Sequence, residues 1–308
     1  MKCFLRSACA LLMIQTCLVS SAAEEDLSAP PVVTAKSWAI VDAKTGTLLW
    51  GDLMDEPRKA ASTAKMMCAL VVLQMAEKKT SILEEWVTFS KVASSTPGST
   101  AGIKAGEKVK VRDCLYGLLL PSGNDAGNAL AEHLNARLAG PDEAMLKVGM
   151  DNPTLKSRVN FIAEMNRVAR QIGMTKTVYR SAYGDGGTDK DLTTTASDLC
   201  RLAVKAMSSE TFRTCVRTQH HEAVVRTGVK STRQVTWENS NALLALDLGY
   251  DGIKTGLTNQ AGHCLVASAH RGGDHLYGVV LGSSSADGRY ADMRNLFRWA
   301  WRQRPATP

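Results

Sequence analysis

The feature that most constrains the fold is a segment, residues 62 to about 76, that predicts a helix without a polar face. Because such a helix has no side suited to water, other elements must enclose it. Its apolar residues include Met66, Met67, Ala69, Leu70, Val71, Leu73 and Met75. Ser62 and Lys65 stand three residues apart at its start, so their side chains share one face. The sequence therefore predicts a serine–lysine pair at one end of a central, buried helix.

Strand-like segments lie at both ends of the chain, and helical segments lie between them. Strands are predicted over residues 37–41, 47–51, 223–229, 235–238, 252–256, 264–270 and 277–282. Further helices are predicted over residues 112–120, 125–138, 161–172, 193–207 and 290–302, and residues 140–159 are interpreted as a surface insertion. We therefore expect a mixed α/β (α+β) fold, in which one mostly antiparallel sheet is flanked by helices beside a helical lobe. The last helix, although it contains two tryptophans, is expected to pack on the sheet.

The first 23 residues are typical of a secretory signal peptide. Lys2 and Arg6 give a positive start, residues 8–19 form an apolar run too short to span a membrane, and Ser21-Ala22-Ala23 offers a cleavage site. A lipoprotein signal at Cys17 is an alternative, although the preceding residues fit it poorly. We expect a periplasmic, secreted or wall-associated protein without a transmembrane segment in the mature chain. Residues 24–36 are expected to form a linker, and residues 37–304 one domain.

The charge of the chain excludes one class of partner. Loss of Lys2 and Arg6 with the signal lowers the formal charge from +7 to +5, and the basic residues are interspersed with acidic ones. Since there is no basic helix and no interleaving of basic and aromatic residues, we expect no binding to nucleic acid.

Five cysteines follow the signal segment. Five is an odd number, so at least one thiol stays unpaired unless it pairs between chains. Their apolar surroundings favour buried free thiols for Cys68, Cys114, Cys200 and Cys264, and the fifth is Cys215. The chain contains neither C-x-x-C nor H-E-x-x-H, so we expect no metal site, and His220-His221 is interpreted as a surface pair.

Three short motifs occur in a fixed order. They are S-x-x-K at Ser62-Thr63-Ala64-Lys65, S-x-N at Ser122-Gly123-Asn124, and K-T-G at Lys254-Thr255-Gly256. This order is typical of enzymes that form an acyl-enzyme on serine. An earlier Lys44-Thr45-Gly46 lies between two strand-like runs and is interpreted as a hairpin turn. Each motif alone is unspecific, but their joint occurrence in order is not.

The residue types fit acyl transfer without a cofactor. A serine hydroxyl needs a nearby base, and Lys65 serves only while it is neutral. A second cation lowers the pKa of a lysine, and Lys254 is the candidate for that charge. Ser122 is expected to relay the proton to the leaving amine. Asn124, Thr255 and Gly256 are expected to bind the substrate backbone, and the N–H groups of Ser62 and Leu257 to form the oxyanion hole.

With these residues in view, the chain resembles the low-molecular-mass penicillin-binding proteins, the serine D-alanyl-D-alanine carboxypeptidases. The resemblance spans roughly residues 35–301 and rests on the stretches 61–67, 120–126, 251–256 and 261–268. It implies a β-lactamase/transpeptidase-like fold, peptidoglycan stem peptides as substrates, and β-lactam antibiotics as covalent inhibitors. It also implies that Arg289 binds the terminal carboxylate of the substrate.

The chain departs from the pattern of that family in several places. Ala61 replaces a proline before the serine, a change expected to be harmless, and Leu257 and Tyr183 stand where histidine is common. Many relatives continue into a β-rich second domain and an amphipathic membrane helix, which we do not expect in this chain.

Three alternatives to a carboxypeptidase stay open. A DD-endopeptidase would use the same site, and pocket shape decides between the two. A class A-like β-lactamase needs a glutamate in an E-x-x-L-N run; Glu132-His133-Leu134-Asn135 is one residue short, and Glu164-Met165-Asn166 lacks the pattern. An inactive wall-binding homologue is disfavoured because the catalytic set is intact.

Overall fold

The computed structural model describes residues 28–147, 156–184, 193–246 and 248–304. The predicted signal peptide lies outside these ranges. The strands are β1 (Ser37–Asp42), β2 (Leu48–Asp52), β3 (Trp86–Thr88), β4 (Lys108–Lys110), β5 (His220–Arg226), β6 (Thr232–Glu238), β7 (Tyr250–Thr258), β8 (Gly262–Arg271) and β9 (Asp274–Ser283). The helices are α1 (Lys65–Lys78), α2 (Lys91–Ser94), α3 (Val111–Leu119), α4 (Asn124–Leu134), α5 (Glu143–Lys147), α6 (Val159–Gln171), α7 (Ala196–Met207), α8 (Glu210–Arg217) and α9 (Ala286–Gln303).

The main sheet joins both ends of the chain, as the sequence predicts. Its order is β2-β1-β9-β8-β7, and every neighbouring pair is antiparallel. The strand β7, which contains the second K-T-G motif, therefore lies at one edge. An edge strand has unpaired backbone groups that an extended peptide can use.

The first K-T-G motif is a turn, as expected. Asp42 Oδ1 accepts hydrogen bonds from the backbone N–H groups of Lys44 and Thr45, at 2.9 and 2.8 Å. Gly46 has a φ of +72°, which glycine adopts without strain. This turn links β1 to β2.

The central helix α1 is enclosed on all sides. Every residue from Lys65 to Leu73 is at most 4% exposed, and the helix contacts α3, α4, α6, α7 and α8. The apolar pattern of the sequence therefore predicted its position correctly, since a helix that is apolar all round must be buried.

The helix α9 covers the opposite face of the main sheet. Met293, Leu296 and Phe297 lie in one buried cluster with residues of β8 and β9. Trp299 is buried and meets Trp38 edge-on, with ring centroids 6.0 Å apart. The expected packing of this helix on the sheet is thus confirmed. Across the described ranges, no helix combines the length and apolar character needed to cross a membrane.

The segment before β1 is bound to the domain. Asp292 accepts hydrogen bonds from the backbone N–H and hydroxyl of Thr34, at 2.9 and 2.8 Å. Lys36 N–H donates to the carbonyl of Leu281. This part of the predicted linker therefore packs against α9 and β9.

The sequence missed a second sheet, of order β3-β4-β5-β6. Two of its strands, β3 and β4, have three residues each, too few for an alternating pattern to be detected. The helix α8 was missed as well, although Ser209 caps it by accepting a hydrogen bond from Phe212 N–H. Within this second sheet His221 stacks on Tyr116 and pairs with Asp113, so only His220 of the predicted surface pair is exposed.

The five cysteines Cys68, Cys114, Cys200, Cys215 and Cys264 are buried free thiols, as predicted for four of them. Burial raises the pKa of the Cys68 thiol to about 12. The Cys68 thiol is therefore an uncharged packing group at neutral pH.

Candidate active site

Ser62 and Lys65 are joined by a hydrogen bond at the start of the central helix. A 3₁₀ turn, Ala61–Ala64, runs directly into α1. The Nζ of Lys65 donates to Ser62 Oγ at 2.8 Å and to the carbonyl oxygen of Tyr183 at 2.9 Å. Because Lys65 is fully buried, its amine is held at the serine and away from water.

Ala61, the residue before the serine, has a left-handed backbone conformation. Its φ is +47°, whereas the proline ring fixes φ at about −65°. This backbone geometry excludes proline at position 61, and the harmlessness of the alanine stays a prediction. The conformation also orients the turn that contains Ser62.

Lys254 is a second buried lysine, located on β7. It is 1% exposed and donates to the carbonyl oxygen of Thr255 at 3.2 Å. Burial, together with the nearby Arg289 guanidinium, lowers the pKa of Lys254 from 10.5 to about 7. The sequence predicted that Lys254 lowers the pKa of Lys65, and this stays a prediction; the pKa that Arg289 lowers is that of Lys254.

Arg289 reaches the site from the first turn of α9. Its Nη1 donates to the carbonyl oxygen of Gly256 at 3.3 Å, and its Nη2 to Tyr290 Oη at 3.1 Å. Its Nε is buried and has no hydrogen-bond partner among the described residues. The sequence placed Arg289 at the site only through the family resemblance.

The S-x-N motif forms the opposite wall of the site. Ser122 has a φ of +66°, and its buried Oγ has no hydrogen-bond partner within the described ranges. Asn124 begins α4, and its side-chain amide donates to the carbonyl oxygen of Pro97 at 2.7 Å. The backbone N–H of Asn124 also donates to Ser99 O at 2.7 Å. The asparagine thus attaches a loop, residues 97–99, to the wall.

Gly256 allows β7 to pass close to the serine. A Cβ at this position would lie 3.1 Å from Ala61 Cβ and 3.3 Å from Ser62 N. The preceding Thr255 shares a hydrogen bond with Ser240, at 2.8 Å between the hydroxyl oxygens. The following Leu257 is 56% exposed. A side chain at this position would therefore force the strand or the turn to shift by a few tenths of an ångström.

These elements surround a cleft of about 500 Å³. Ser62 lies in its wall, and the other lining residues are Pro97, Gly98, Ser99, Asn124, Tyr183, Leu257, Thr258, Asn259 and Gln260. A cleft of this size holds a ligand of a few residues. The sequence did not identify the loop at residues 97–99 or Ser240 as parts of the site, because the fold, not the spacing along the chain, brings them there.

The fold and the site together define a class of protein. A serine hydroxyl is hydrogen-bonded to a buried lysine at the end of an enclosed helix, beside an edge strand. This is the arrangement of a serine-type acyl-transfer enzyme.

Comparison with known proteins identifies the family. The sequence profile of the D-alanyl-D-alanine carboxypeptidases, peptidase family S11, matches residues 23–285. The chain belongs to this family, and the enzymes of the family are hydrolases.

Individual relatives agree with this assignment. The D-alanyl-D-alanine carboxypeptidase of Streptomyces sp. strain K15 is 34% identical over 276 residues, which is 88% of each chain. The D-alanyl-D-alanine carboxypeptidase DacC of Escherichia coli is 31% identical; the match covers 91% of this chain and 64% of that protein. The crystal structure of the Streptomyces K15 DD-transpeptidase superposes with a TM-score of 0.77 at 35% identity, covering 89% of this chain and 99% of that one. The predicted fold class is thus confirmed.

Proposed function

We propose that this protein is a serine-type D-Ala-D-Ala carboxypeptidase that removes the terminal D-alanine from peptidoglycan stem peptides. The observation that carries the proposal is the 2.8 Å hydrogen bond between Lys65 Nζ and Ser62 Oγ in the wall of the cleft. Family membership supports the choice of bond to be cleaved.

Acylation begins at Ser62. Its Oγ attacks the carbonyl carbon of the penultimate D-alanine while its proton passes to neutral Lys65. The backbone N–H groups of Ser62 and Leu257 then bind the oxyanion, and loss of one such donor typically lowers kcat about 10²–10³-fold. The close approach of Gly256 to Ser62 N supports this pairing of a turn with an edge strand.

Departure of D-alanine requires a proton on its amine. Ser122 is suited to the relay because its buried hydroxyl makes no hydrogen bond to any described residue. Lys254 on β7 has a pKa of about 7, which lets it gain or lose a proton near neutral pH.

The substrate is bound along the edge of the sheet. Asn124 and β7 provide hydrogen-bonding groups on the two sides of the cleft, so an extended peptide fits between them. Arg289, held by the carbonyl of Gly256, supplies positive charge for the terminal carboxylate, and Thr255 supplies a hydroxyl as a hydrogen-bond donor.

The acyl-enzyme is resolved by water in a carboxypeptidase or by an amine in a transpeptidase. Similarity to the Streptomyces K15 DD-transpeptidase favours transpeptidation as the second candidate function. Endopeptidase action on a D-Ala-linked cross-link would use the same acyl-enzyme and differ only in the leaving group.

A β-lactamase is less well supported. The candidate glutamates Glu132 and Glu164 form ion pairs with Arg158 and Arg167. None of the described residues that line the cleft is acidic. β-Lactams are therefore proposed as slowly released covalent inhibitors.

We place the enzyme outside the cytoplasm, in the periplasm or at the cell wall. The signal-like first 23 residues and the peptidoglycan substrate support this location.

One experiment tests the proposal directly. The intact mass of the mature protein is followed after one dose of penicillin, and D-alanine release from a D-Ala-D-Ala-terminated stem peptide is assayed with and without an amine acceptor. A long-lived adduct on Ser62 with D-alanine release supports the proposal. A shift of product to the amine-linked peptide indicates transpeptidation. Rapid loss of the adduct together with hydrolysis of the drug indicates a β-lactamase. Absence of both the adduct and D-alanine release indicates an inactive homologue.

A further inference from the structure

Three potential metal ligands meet at the end of the main sheet away from the K-T-G motif. They are Asp251 on β7, His270 on β8 and His275 on β9, and one ligand atom from each lies within 4.8 Å of the others. His270 Nε2 lies 2.9 Å from Asp251 Oδ2. The imidazole rings of His270 and His275 face each other, with centroids 3.5 Å apart.

The strand pairing explains why these residues meet. His270 and His275 are direct partners across the β8–β9 hairpin, so their side chains lie on one face. The register of β7 against β8 shifts between Tyr250 and Gly252, which leaves Asp251 as the extra residue of a bulge. A bulge redirects a side chain relative to the regular strand, and in this one Asp251 reaches His270.

The surroundings of the cluster suit a cation. Asp251 Oδ1 is buried and accepts no hydrogen bond from any described group, so a carboxylate oxygen remains for a ligand. His275 Nε2 shares a hydrogen bond with Ser268 Oγ at 2.8 Å, the kind of outer contact that orients a ligating imidazole. The other acidic groups near His275 are Asp42 and Asp274, and both pair with Arg304.

We propose that Asp251, His270 and His275 form a binding site for a divalent transition metal, with Zn²⁺ as the ion that fits this donor set. Two imidazoles and one carboxylate are common zinc ligands, at distances of about 2.0–2.2 Å, and water completes a tetrahedron. The three ligand atoms lie within 4.8 Å of one another, so rotation of the side chains is needed to bring them to these distances from one ion. His270 is half-exposed, which gives the ion a path from solvent.

A metal at this position links three strands. It joins β7 to the β8–β9 hairpin three residues before Lys254, without using any residue of the cleft. We therefore expect Zn²⁺ to stabilise the folded chain, since a ligand that binds only the native state raises its stability. Motif spacing does not reveal this site, because its ligands come from different strands.

The test is metal binding by the mature protein after chelator treatment. Zn²⁺ is titrated calorimetrically, Co²⁺ is used as a spectroscopic probe of tetrahedral geometry, and Tm is measured with and without Zn²⁺. We expect one ion per chain, a higher Tm with Zn²⁺, and at least about 10-fold weaker binding in His270→Ala and Asp251→Asn, since loss of even an outer contact typically costs that much.

His220→Ala is the matched control, because His220 is an exposed histidine of the other sheet. It should bind Zn²⁺ like the unchanged protein. Circular dichroism establishes that each variant is folded, and the nearly isosteric Asp251→Asn guards against a folding defect in the histidine variant. Absence of stoichiometric binding, or equal affinity in the unchanged protein and both folded ligand variants, would overturn the proposal.

Discussion

Arg289 on α9 lies close enough to Lys254 on β7 to disfavour the charged form of that lysine. Burial is the larger cause and the guanidinium the smaller, and together they hold the pKa of Lys254 at about 7. The same arginine is anchored on the carbonyl of Gly256. The last helix thus affects both the charge and the backbone of the strand that forms the edge of the cleft.

Removal of the Ser62 hydroxyl should abolish turnover. We expect Ser62→Ala to lower D-alanine release by at least about 10⁴-fold, because the acyl-enzyme cannot form. Release is measured from a D-Ala-D-Ala peptide, and folding by circular dichroism. Ser99→Ala, a cleft-lining control, should retain most activity. Substantial activity in Ser62→Ala would place the nucleophile elsewhere.

Lys254 should destabilise the folded state below pH 7, because its buried amine is then protonated and carries a charge. Its folded pKa, about 7, lies below the ordinary value of 10.5, so the unfolded chain binds more protons between these pH values. The contribution of Lys254 to stability therefore rises with pH across this window and is least favourable below it. The full shift corresponds to an upper bound of about 5 kcal/mol.

Lys254→Met tests this relation. We expect the variant to lose activity but to gain stability relative to the unchanged protein, with a gain that is largest at pH 6–7 and smallest near pH 10. Urea unfolding of both proteins across this pH range measures the difference. A difference that does not change with pH would contradict the lowered pKa.

Arg289→Gln should shift the pH dependence of acylation. Because loss of the neighbouring cation favours protonation of Lys254, the inflection assigned to this lysine should move to higher pH. The second-order rate of acylation by a penicillin, measured from pH 5 to 10, gives the inflection. An unchanged profile would mean that Arg289 does not influence the reacting groups.

Arg289→Ala should also separate peptide turnover from penicillin binding. We expect a greater loss of carboxypeptidase kcat/KM than of acylation by penicillins whose carboxylate reaches Lys254 or Thr255. The two rates are measured on one preparation of the variant. Equal losses would contradict a role for Arg289 in binding the terminal carboxylate.

A methyl group at Gly256 should disturb the site without unfolding the chain. The added Cβ would lie 3.1 Å from Ala61 Cβ and 3.2 Å from Ala60 O, so strand and turn must move apart. We expect Gly256→Ala to slow acylation about 10-fold or more, since overpacking costs about 1–3 kcal/mol. Gly228→Ala is the control, because its nearest neighbours are 3.8 Å away. Equal rates in both variants would refute the steric argument.

The sequence predicted the elements with strong periodicity and missed the short ones. The helix α1, whose pattern is apolar on every face, and the strands of the main sheet were identified within a few residues. The strands β3 and β4 and the helix α8 were missed, because three-residue strands carry no detectable alternation and α8 has few apolar residues. The turn at Lys44-Thr45-Gly46 was identified from its flanking strands.

The site divides in the same way. The spacing of Ser62 and Lys65 within one helical turn fixed their contact, because residues three apart on a helix share a face. No local pattern indicated that Arg289 would lie beside Lys254, or that Asn124 would hold the loop at residues 97–99. The sequence likewise gave no indication of the positive φ angles at Ala61 and Ser122.

By itself, the sequence determined the central helix and the reaction class, and it predicted the nucleophile and its base, since each depends on residues close together in the chain. The tertiary structure decided which groups from distant segments surround them. It set the low pKa of Lys254, the position of Arg289 and the meeting of Asp251 with His270 and His275. The physical reason is that burial and charge proximity depend on packing between strands and helices, which is not encoded in any single short stretch of residues.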